Sequence, residues 1–303
     1  MIRLGTRGSA LALAQAKWVA ERLPGEVEIV PIRTTGDQPS EKGQTPLGGL
    51  RVELEDKSRF VKELEEALLR GGIELAVHSA KDVPAELPGG LSIVAVPERA
   101  DPRDALCGAN TLDELAEGAV VGTASLRRRA ALLALRPDLD VRDLRGNVDT
   151  RLRRLAEGDF DAIVLAHAGL ERLGRPEEGA PLDATEFIPA AGQGCLVLEA
   201  RTEDRDAAEA ASHLTDPDAL AALTAERALV HTLGATCHTP VGAHTPANGA
   251  AMRLVAFVGL PDGSRWIRDE LDGDPGDPAT LGAAVAERLL LAGAAELLGT
   301  PPG

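Results

Sequence analysis

The sequence of 303 residues contains no tyrosine, two tryptophans and four phenylalanines, so aromatic residues make up only 2% of it. Positive charge is also scarce, because 32 Lys and Arg stand against 48 Asp and Glu and give a formal net charge of -16. Proteins that bind nucleic acid need an extended basic face or aromatic side chains on which bases stack. This composition provides neither, so nucleic acid is excluded as a partner.

Cysteine is rare as well. The three cysteines are Cys107, Cys195 and Cys237. An odd number of widely spaced cysteines argues against a disulfide framework and for a reducing compartment. Residues 1–7 contain no signal-peptide apolar run, and the longest apolar stretch near the C-terminus is interrupted by Glu287 and Glu296. These features predict a soluble cytoplasmic protein without membrane contact.

Short apolar runs alternate with helical patterns through the first two thirds of the chain, which predicts α/β architecture with largely parallel sheets. Sequences rich in proline or glycine near Pro97–Asp101 and Pro189–Gly194 interrupt this pattern and predict two hinge crossings. We therefore expect two α/β domains and a smaller α+β domain. The predicted boundaries are 1–96 with 194–213 for domain 1, 101–189 for domain 2 and 217–303 for domain 3.

Arginines gather at the predicted strand-to-helix junctions. Arg127 and Arg128 follow Ser125, Arg145 and Arg151 flank Gly146, and Arg7 precedes Ser9. In a chain this acidic, such clusters indicate a local site for a phosphate or a polycarboxylate.

Two of these junctions are similar to each other. Gly5–Ser9 and Gly122–Ser125 both place Gly-Thr and then Ser between a strand and a helix, where free backbone N–H groups can bind an anion. The alternative is that Ser9 and Ser125 only cap their helices.

Asp82 lies in the segment His78–Pro84, directly after a predicted strand that ends at Val77. Open α/β sheets place their sites at the carboxyl ends of parallel strands. An ionised carboxylate among arginines and lysines is suited to hold a ligand N–H group or a developing cation. The alternative is a surface ion pair between Lys81 and Asp82 at a turn.

Cys237 lies in a loop with glycine, threonine and proline, where a thiol is more reactive than in a core. Three uses remain open: a nucleophile, a metal ligand with nearby histidines, or a small apolar side chain in the core. Because the sequence has no CxxC spacing, we predict no metal site. Cys107 and Cys195 adjoin apolar runs and are predicted to be buried.

The segment Thr34–Lys57 is rich in glycine, proline and charge and has no periodicity. A segment of this length without periodicity is either a disordered insert or an active-site lid, and a lid is the preferred interpretation. Phe60, which follows it, is a core residue or a side chain that faces a flat ring.

Taken together, these segments resemble the porphobilinogen deaminase (hydroxymethylbilane synthase) family over nearly the whole chain. The motifs that carry the resemblance are Arg7–Ser9, Thr35–Asp37, Phe60–Glu65, His78–Pro84, Asp101–Ala105, Ser125–Arg128, Leu144–Val148, Thr150–Leu152, Gly192–Gly194 and the Cys237 loop. No single motif is sufficient, but their order and spacing are specific.

The resemblance implies a three-domain transferase with two periplasmic-binding-protein-like α/β domains and a hinge. Such an enzyme condenses four porphobilinogen molecules head to tail, with release of ammonia, into hydroxymethylbilane. Its covalent dipyrromethane primer would be held through a thioether to Cys237. The resemblance makes Asp82 the catalytic carboxylate, which stabilises the cation left when ammonia departs.

By motif position, the resemblance assigns two further groups of residues. The cofactor-binding residues besides Cys237 are Ser79, Lys81, Thr123, Ser125, Arg127, Arg128, Arg145 and Gly146. The substrate-binding residues are Arg7, Ser9, Phe60, Arg151, Arg172 and Gln193. Porphobilinogen carries acetate and propionate side chains, which account for the arginines.

The alternative function is a non-enzymatic protein that binds small anions or carboxylates, because two α/β domains joined by two crossings also describe solute-binding proteins. It explains the arginines but not a third domain with a reactive cysteine. The expected state is a monomer, because the sequence shows no sign of a large symmetric interface.

Overall fold

A computed structural model describes residues 1–32, 54–236, 239–246 and 251–299. Within these ranges the strands are β1 (Ile2–Arg7), β2 (Val27–Ile32), β3 (Leu75–Ser79), β4 (Leu91–Ala95), β5 (Asp104–Cys107), β6 (Val120–Gly122), β7 (Asp140–Arg142), β8 (Ala162–Ala166), β9 (Ala180–Pro181), β10 (Leu196–Arg201), β11 (Val241–His244), β12 (Met252–Gly259) and β13 (Trp266–Gly273). The α-helices are α1 (Ala10–Ala20), α2 (Leu54–Leu69), α3 (Leu126–Leu135), α4 (Val148–Ala156), α5 (His167–Arg172), α6 (Arg205–Ser212), α7 (Pro217–Thr232), α8 (Pro278–Leu291) and α9 (Ala294–Leu297).

The chain divides into two compact units. The first comprises Met1–Glu98 and Leu196–Asp216, and the second comprises Arg99–Cys195 and Pro217–Gly303. The first unit is thus made of two separate stretches of sequence. The three-domain boundaries drawn from the sequence stay a prediction.

The first unit contains a five-stranded sheet in the order β2-β1-β3-β10-β4. Strands β1, β2 and β3 are parallel, whereas β10 runs antiparallel to both β3 and β4. Apolar side chains such as Leu4, Leu75 and Leu198 are fully buried in its core. The inner strands β3 and β10 are buried on both faces, as is typical of sheets covered by helices.

The second unit contains a sheet of the same size in the order β7-β6-β8-β5-β9. Strands β6, β7 and β8 are parallel, while β5 is antiparallel to its neighbours. The expectation of largely parallel sheets is therefore wrong for both units. In each sheet, two of the four neighbouring pairs are antiparallel, because the fourth strand in the order, β10 or β5, runs opposite to both of its neighbours.

The C-terminal part of the second unit is a three-stranded antiparallel sheet in the order β11-β12-β13. Helices α7 and α8 pack against each other, and Leu229, Val285 and Leu289 are fully buried between them and the sheet. Together the three sheets confirm the predicted fold class, which combines two α/β sheet regions with a smaller α+β region.

Candidate functional site

A cleft in the first unit lies where β1 and β3 end. These strands are parallel neighbours, so the residues that follow them meet at one edge of the sheet. The side chains brought together there include Arg7, Ser9, Gln15, His78, Ser79 and Asp82. Four of the predicted site residues, Arg7, Ser9, Ser79 and Asp82, thus line one cleft.

Ser9 caps helix α1, because its hydroxyl accepts a hydrogen bond from the backbone N–H of Ala12 at 3.3 Å. Ser125 caps α3 in the same way and accepts from the N–H of Arg128 at 3.5 Å. The capping role offered as the alternative for both serines is confirmed. Their contact with a ligand stays a prediction.

Gln15 is a cleft residue that the sequence analysis missed. Its side-chain amide donates to the Ser79 hydroxyl at 3.0 Å, and the side chain is 5% exposed. The buried face of α1 also carries Ala12, Ala16 and Val19. A polar residue at helical spacing among these apolar positions was the available signal.

Asp82 ends a short 3₁₀ helix, Ala80–Asp82, that continues directly from β3. Its carboxylate is half-buried and makes no hydrogen bond or ion pair with any described residue, Lys81 included. The surface ion pair offered as the alternative is therefore absent among the described residues. The carboxylate keeps its lone pairs available for a ligand.

Arg127 and Arg128 meet a carboxylate of the protein itself. The Arg127 guanidinium donates to both oxygens of Asp104, at 2.7 and 3.1 Å, and Arg128 Nε donates to Asp104 Oδ1 at 2.9 Å. Both arginines are buried, with 4% and 6% of their surface exposed. The sequence predicted that they bind ligand carboxylates, and this assignment stays a prediction.

The buried charges of this cluster balance each other. Burial alone would raise the pKa of Asp104, but Arg127 and Arg128 hold it well below its ordinary value. Burial lowers the pKa of Arg127, which Asp104 opposes. Gln193 adds a hydrogen bond to Asp104 at 3.0 Å and donates to the carbonyl of Pro102 at 2.8 Å.

Two further predicted site residues of the second unit, Thr123 and Arg172, lie at the end of strand β6 and of helix α5. Thr123 is buried and accepts from the N–H of Ser125 at 3.2 Å. Arg172 donates to the carbonyl of Gly194 at 2.7 Å, and burial lowers the pKa of its guanidinium.

Arg145 and Gly146 lie in the loop before α4, and Arg151 lies in α4 itself. Gly146 adopts φ 112°, and a Cβ at this position would lie 3.0 Å from a Thr150 side-chain carbon, so glycine is required there. Arg151 Nε donates to the Gly146 carbonyl at 2.8 Å, while Arg145 is exposed. This leaves the Arg145 side chain at the surface of the loop, beside the N-terminus of a helix.

Three predictions fall outside the described residues. Cys237 is one of them, and the Phe60 side chain is another, although its backbone belongs to α2. The predicted lid Thr34–Lys57 is described only from Leu54 onward, where it forms the start of α2.

The described ranges contain no group of three or more His, Cys, Asp or Glu side chains arranged to hold a metal ion. Nor do they contain a helix with the length and apolar character needed to cross a membrane.

Comparison with known families decides the assignment. The family model described as "Porphobilinogen deaminase, dipyromethane cofactor binding domain" matches residues 2–209, and the one described as "Porphobilinogen deaminase, C-terminal domain" matches residues 220–291. The chain belongs to the porphobilinogen deaminase family. The resemblance inferred from the motifs is thereby confirmed.

Individual relatives are similar to this chain over almost its full length. The porphobilinogen deaminase of Thermus thermophilus is 47% identical over 308 residues, covering 98% of this chain and 98% of the relative. That of Trichlorobacter lovleyi is 46% identical over 304 residues, covering 98% and 95%. Among solved structures, the methionine binding protein MetQ matches with a TM-score of 0.41 and 15% identity, covering 70% of this chain and 89% of that protein.

The Asp104 cluster leads to a stability prediction. We expect Asp104→Asn to lower the free energy of unfolding by about 3 to 5 kcal/mol, because it leaves two buried guanidinium groups without their counter-charge. Chemical denaturation at neutral pH measures the free energy of unfolding of the variant and of the wild type. The matched control is Asp140→Asn, which breaks an exposed ion pair with Arg142 and should change little. Equal effects of the two substitutions would show that the buried cluster contributes no more than a surface pair.

Proposed function

We propose that this protein is a transferase that condenses four porphobilinogen molecules head to tail into hydroxymethylbilane and releases one ammonia for each. Membership of the porphobilinogen deaminase family over both matched regions is the observation that carries the proposal. The first of these regions is the cofactor binding domain of that family, so a dipyrromethane is the proposed cofactor.

The residues of the cleft fit a pyrrole that carries carboxylates. Arg7 supplies a cation for an acetate or propionate group, and Asp82 supplies an acceptor without a partner among the described residues for pyrrole N–H groups. We propose that Lys81 and Ser79 bind the cofactor beside Asp82. In the second unit, we propose this role for Arg145 and for the other residues that the family motifs assign.

The proposed mechanism assigns distinct tasks to these side chains. When bound through Cys237, the dipyrromethane supplies the nucleophilic carbon for the first addition. Arg7 orients the incoming porphobilinogen through its carboxylates. The Asp82 carboxylate stabilises the cation that forms when the carbon–nitrogen bond of porphobilinogen breaks and its electron pair leaves with ammonia.

Incubation with porphobilinogen tests the function directly. We expect substrate consumption, release of one ammonia per molecule consumed, and hydroxymethylbilane as the product. A small-anion binding protein would instead bind porphobilinogen unchanged and release no ammonia. We also propose a cytoplasmic monomer, consistent with the free thiols of Cys107 and Cys195, and sedimentation of the purified protein tests the monomer.

The arginine assignment leads to a kinetic prediction. We expect Arg145→Leu to lower kcat/KM by about tenfold to a hundredfold, because a substrate or primer carboxylate loses a charge-assisted hydrogen bond of roughly 1.5 to 3 kcal/mol. The matched control is Arg142→Leu, since Arg142 is likewise exposed but is not among the residues that the family motifs assign to the cofactor or substrate. If both variants show wild-type kinetics, Arg145 is only a solvated surface residue.

A further inference from the structure

Three buried ionisable side chains lie behind the cleft of the first unit, and none of the roles assigned above uses them. They are Glu65 on α2, His78 on β3 and Glu199 on β10, with 8%, 6% and 1% of their surface exposed. Strands β3 and β10 are antiparallel neighbours, and His78 pairs with Val197, two residues from Glu199. His78 and Glu199 thus occupy the same face of the sheet.

His78 connects this cluster with the cleft. The residue lines the cleft together with Asp82, and its Nε2 lies 3.1 Å from Glu199 Oε2. Helix α2 brings Glu65 to the same place, because Val61, one helical turn earlier, also lines the cleft. Glu65 is near enough to His78 and Glu199 for the charges of both to act on its carboxyl group.

The carboxylates of this cluster lack the usual stabilising partners. Both oxygens of Glu199 and one oxygen of Glu65 are buried without a hydrogen bond, and no Lys or Arg of the described ranges forms an ion pair with either residue. Buried carboxylates without such partners bind protons more tightly than exposed ones. Accordingly, burial, together with the charge of Glu199, raises the pKa of Glu65 to about 7.

The reaction requires a proton acceptor. When the α-carbon of one pyrrole forms a bond to the methylene carbon of the next, that α-carbon still carries its hydrogen. The hydrogen must leave as a proton so that the C–H electron pair returns to the ring. If Asp82 took this proton, it would lose the negative charge that stabilises the cation in the next addition.

We propose that His78, Glu199 and Glu65 form a proton relay that accepts the proton lost from the pyrrole α-carbon in each condensation. This inference rests on the proposed function. His78 takes the proton at the cleft, and the two carboxylates stabilise the imidazolium and share the proton. The proton then passes to water or to ammonia. Each addition releases one proton and one ammonia, so the products are ammonium and the extended chain.

An isotope effect tests the relay. Porphobilinogen deuterated at its free α-carbon loses that deuterium in the next addition. We expect His78→Gln to lower kcat by about a hundredfold or more, because positioned acid–base groups contribute that much. We also expect a primary isotope effect on kcat that clearly exceeds the wild-type one, because proton removal becomes rate-limiting. A merely structural role would lower activity without changing the isotope effect.

Glu65→Gln provides a second variant that mimics the protonated side chain in shape and so preserves the fold. It should raise the isotope effect in the same direction as His78→Gln. The matched control is Glu66→Gln, because Glu66 is exposed and pairs with Arg70. An isotope effect equal to the wild-type one in Glu65→Gln and in any folded His78→Gln protein overturns the relay. Failure of the wild-type protein to release ammonia would instead reject the proposed function.

Thermal unfolding tests, without substrate, whether Glu65 holds a proton in the folded protein. Because the pKa of Glu65 rises from 4.5 to about 7 in the folded protein, its stabilising contribution is complete below pH 4.5 and is lost as the pH rises through 7. The amide in Glu65→Gln does not titrate, so the stability of this variant does not fall when the pH rises through 7. We expect a higher Tm than wild type at pH 8 and a much smaller difference at pH 5. The same difference at both pH values would show that Glu65 holds no such proton.

Discussion

We expect Cys237→Ala to yield a protein without covalently bound pyrroles and without deaminase activity. A thiolate is a good nucleophile toward the electrophilic methylene carbon that forms when ammonia leaves porphobilinogen. A permanent tether also makes every later addition effectively intramolecular, which contributes strongly to the rate. Loss of the Cys237 thiol would therefore remove both the primer and its anchor.

Intact-mass measurement checks this prediction. The wild-type protein should be heavier than its sequence by one two-pyrrole adduct, and peptide mapping should place the adduct on the segment that contains Cys237. Cys237→Ala should have the mass of its sequence. Transient porphobilinogen binding would leave both masses unchanged.

The other two cysteines serve as matched controls. Cys107 is completely buried and Cys195 is 1% exposed. Burial raises the pKa of the Cys107 thiol to about 12, so its reactive thiolate is scarcely populated at neutral pH. Cys107→Ala should therefore keep the adduct. An adduct mapped to Cys107 or Cys195, or an active Cys237→Ala protein, would contradict the assignment.

Much of the fold follows from local patterns in the sequence. The apolar run Val27–Ile32 predicts β2 with the bounds that the structure shows, and the run Leu91–Val96 predicts β4 to within one residue. Local patterns do not predict strand β5, because it has four residues and begins with a charged one, Asp104. Asp104 is tolerated in the core because two arginines neutralise it, which local periodicity does not reveal.

The strand order was harder to predict, because it depends on pairing between strands that are distant in the sequence. Strand β10 follows β4 by more than ninety residues, yet it inserts between β3 and β4. Its antiparallel direction depends on where the chain returns to the first unit. The apolar run near Cys195 indicates a strand but carries no information about its neighbours.

The cleft was partly predictable for a physical reason. Arg7 and His78–Asp82 both follow buried strands, and the carboxyl ends of parallel strands meet at one edge of a sheet. The partners of Arg127 and Arg128 were not predictable, because they depend on the position of β5. Arginines in a sequence indicate an anion, but they do not indicate whether it belongs to a ligand or to the protein.

We expect Asp82→Asn to lower kcat by at least about a hundredfold, with a smaller effect on KM. The substitution preserves the shape of the side chain and removes its charge. The cation exists only after the carbon–nitrogen bond begins to break, so the carboxylate stabilises the transition state more than bound porphobilinogen. The absence of any protein partner for Asp82 among the described residues means that no internal ion pair is lost.

Steady-state kinetics with porphobilinogen, together with thermal unfolding of each variant, check this prediction. Because Asp82 pairs with no described residue, Asp82→Asn should unfold near the wild-type temperature, in contrast to Asp104→Asn. Asp82→Glu keeps the charge but displaces it by one methylene, so it should retain more activity than Asp82→Asn if charge is the dominant contribution. Near-normal kcat in folded Asp82→Asn would exclude electrostatic stabilisation by this carboxylate. Equal losses in both variants would instead show that its position matters as much as its charge.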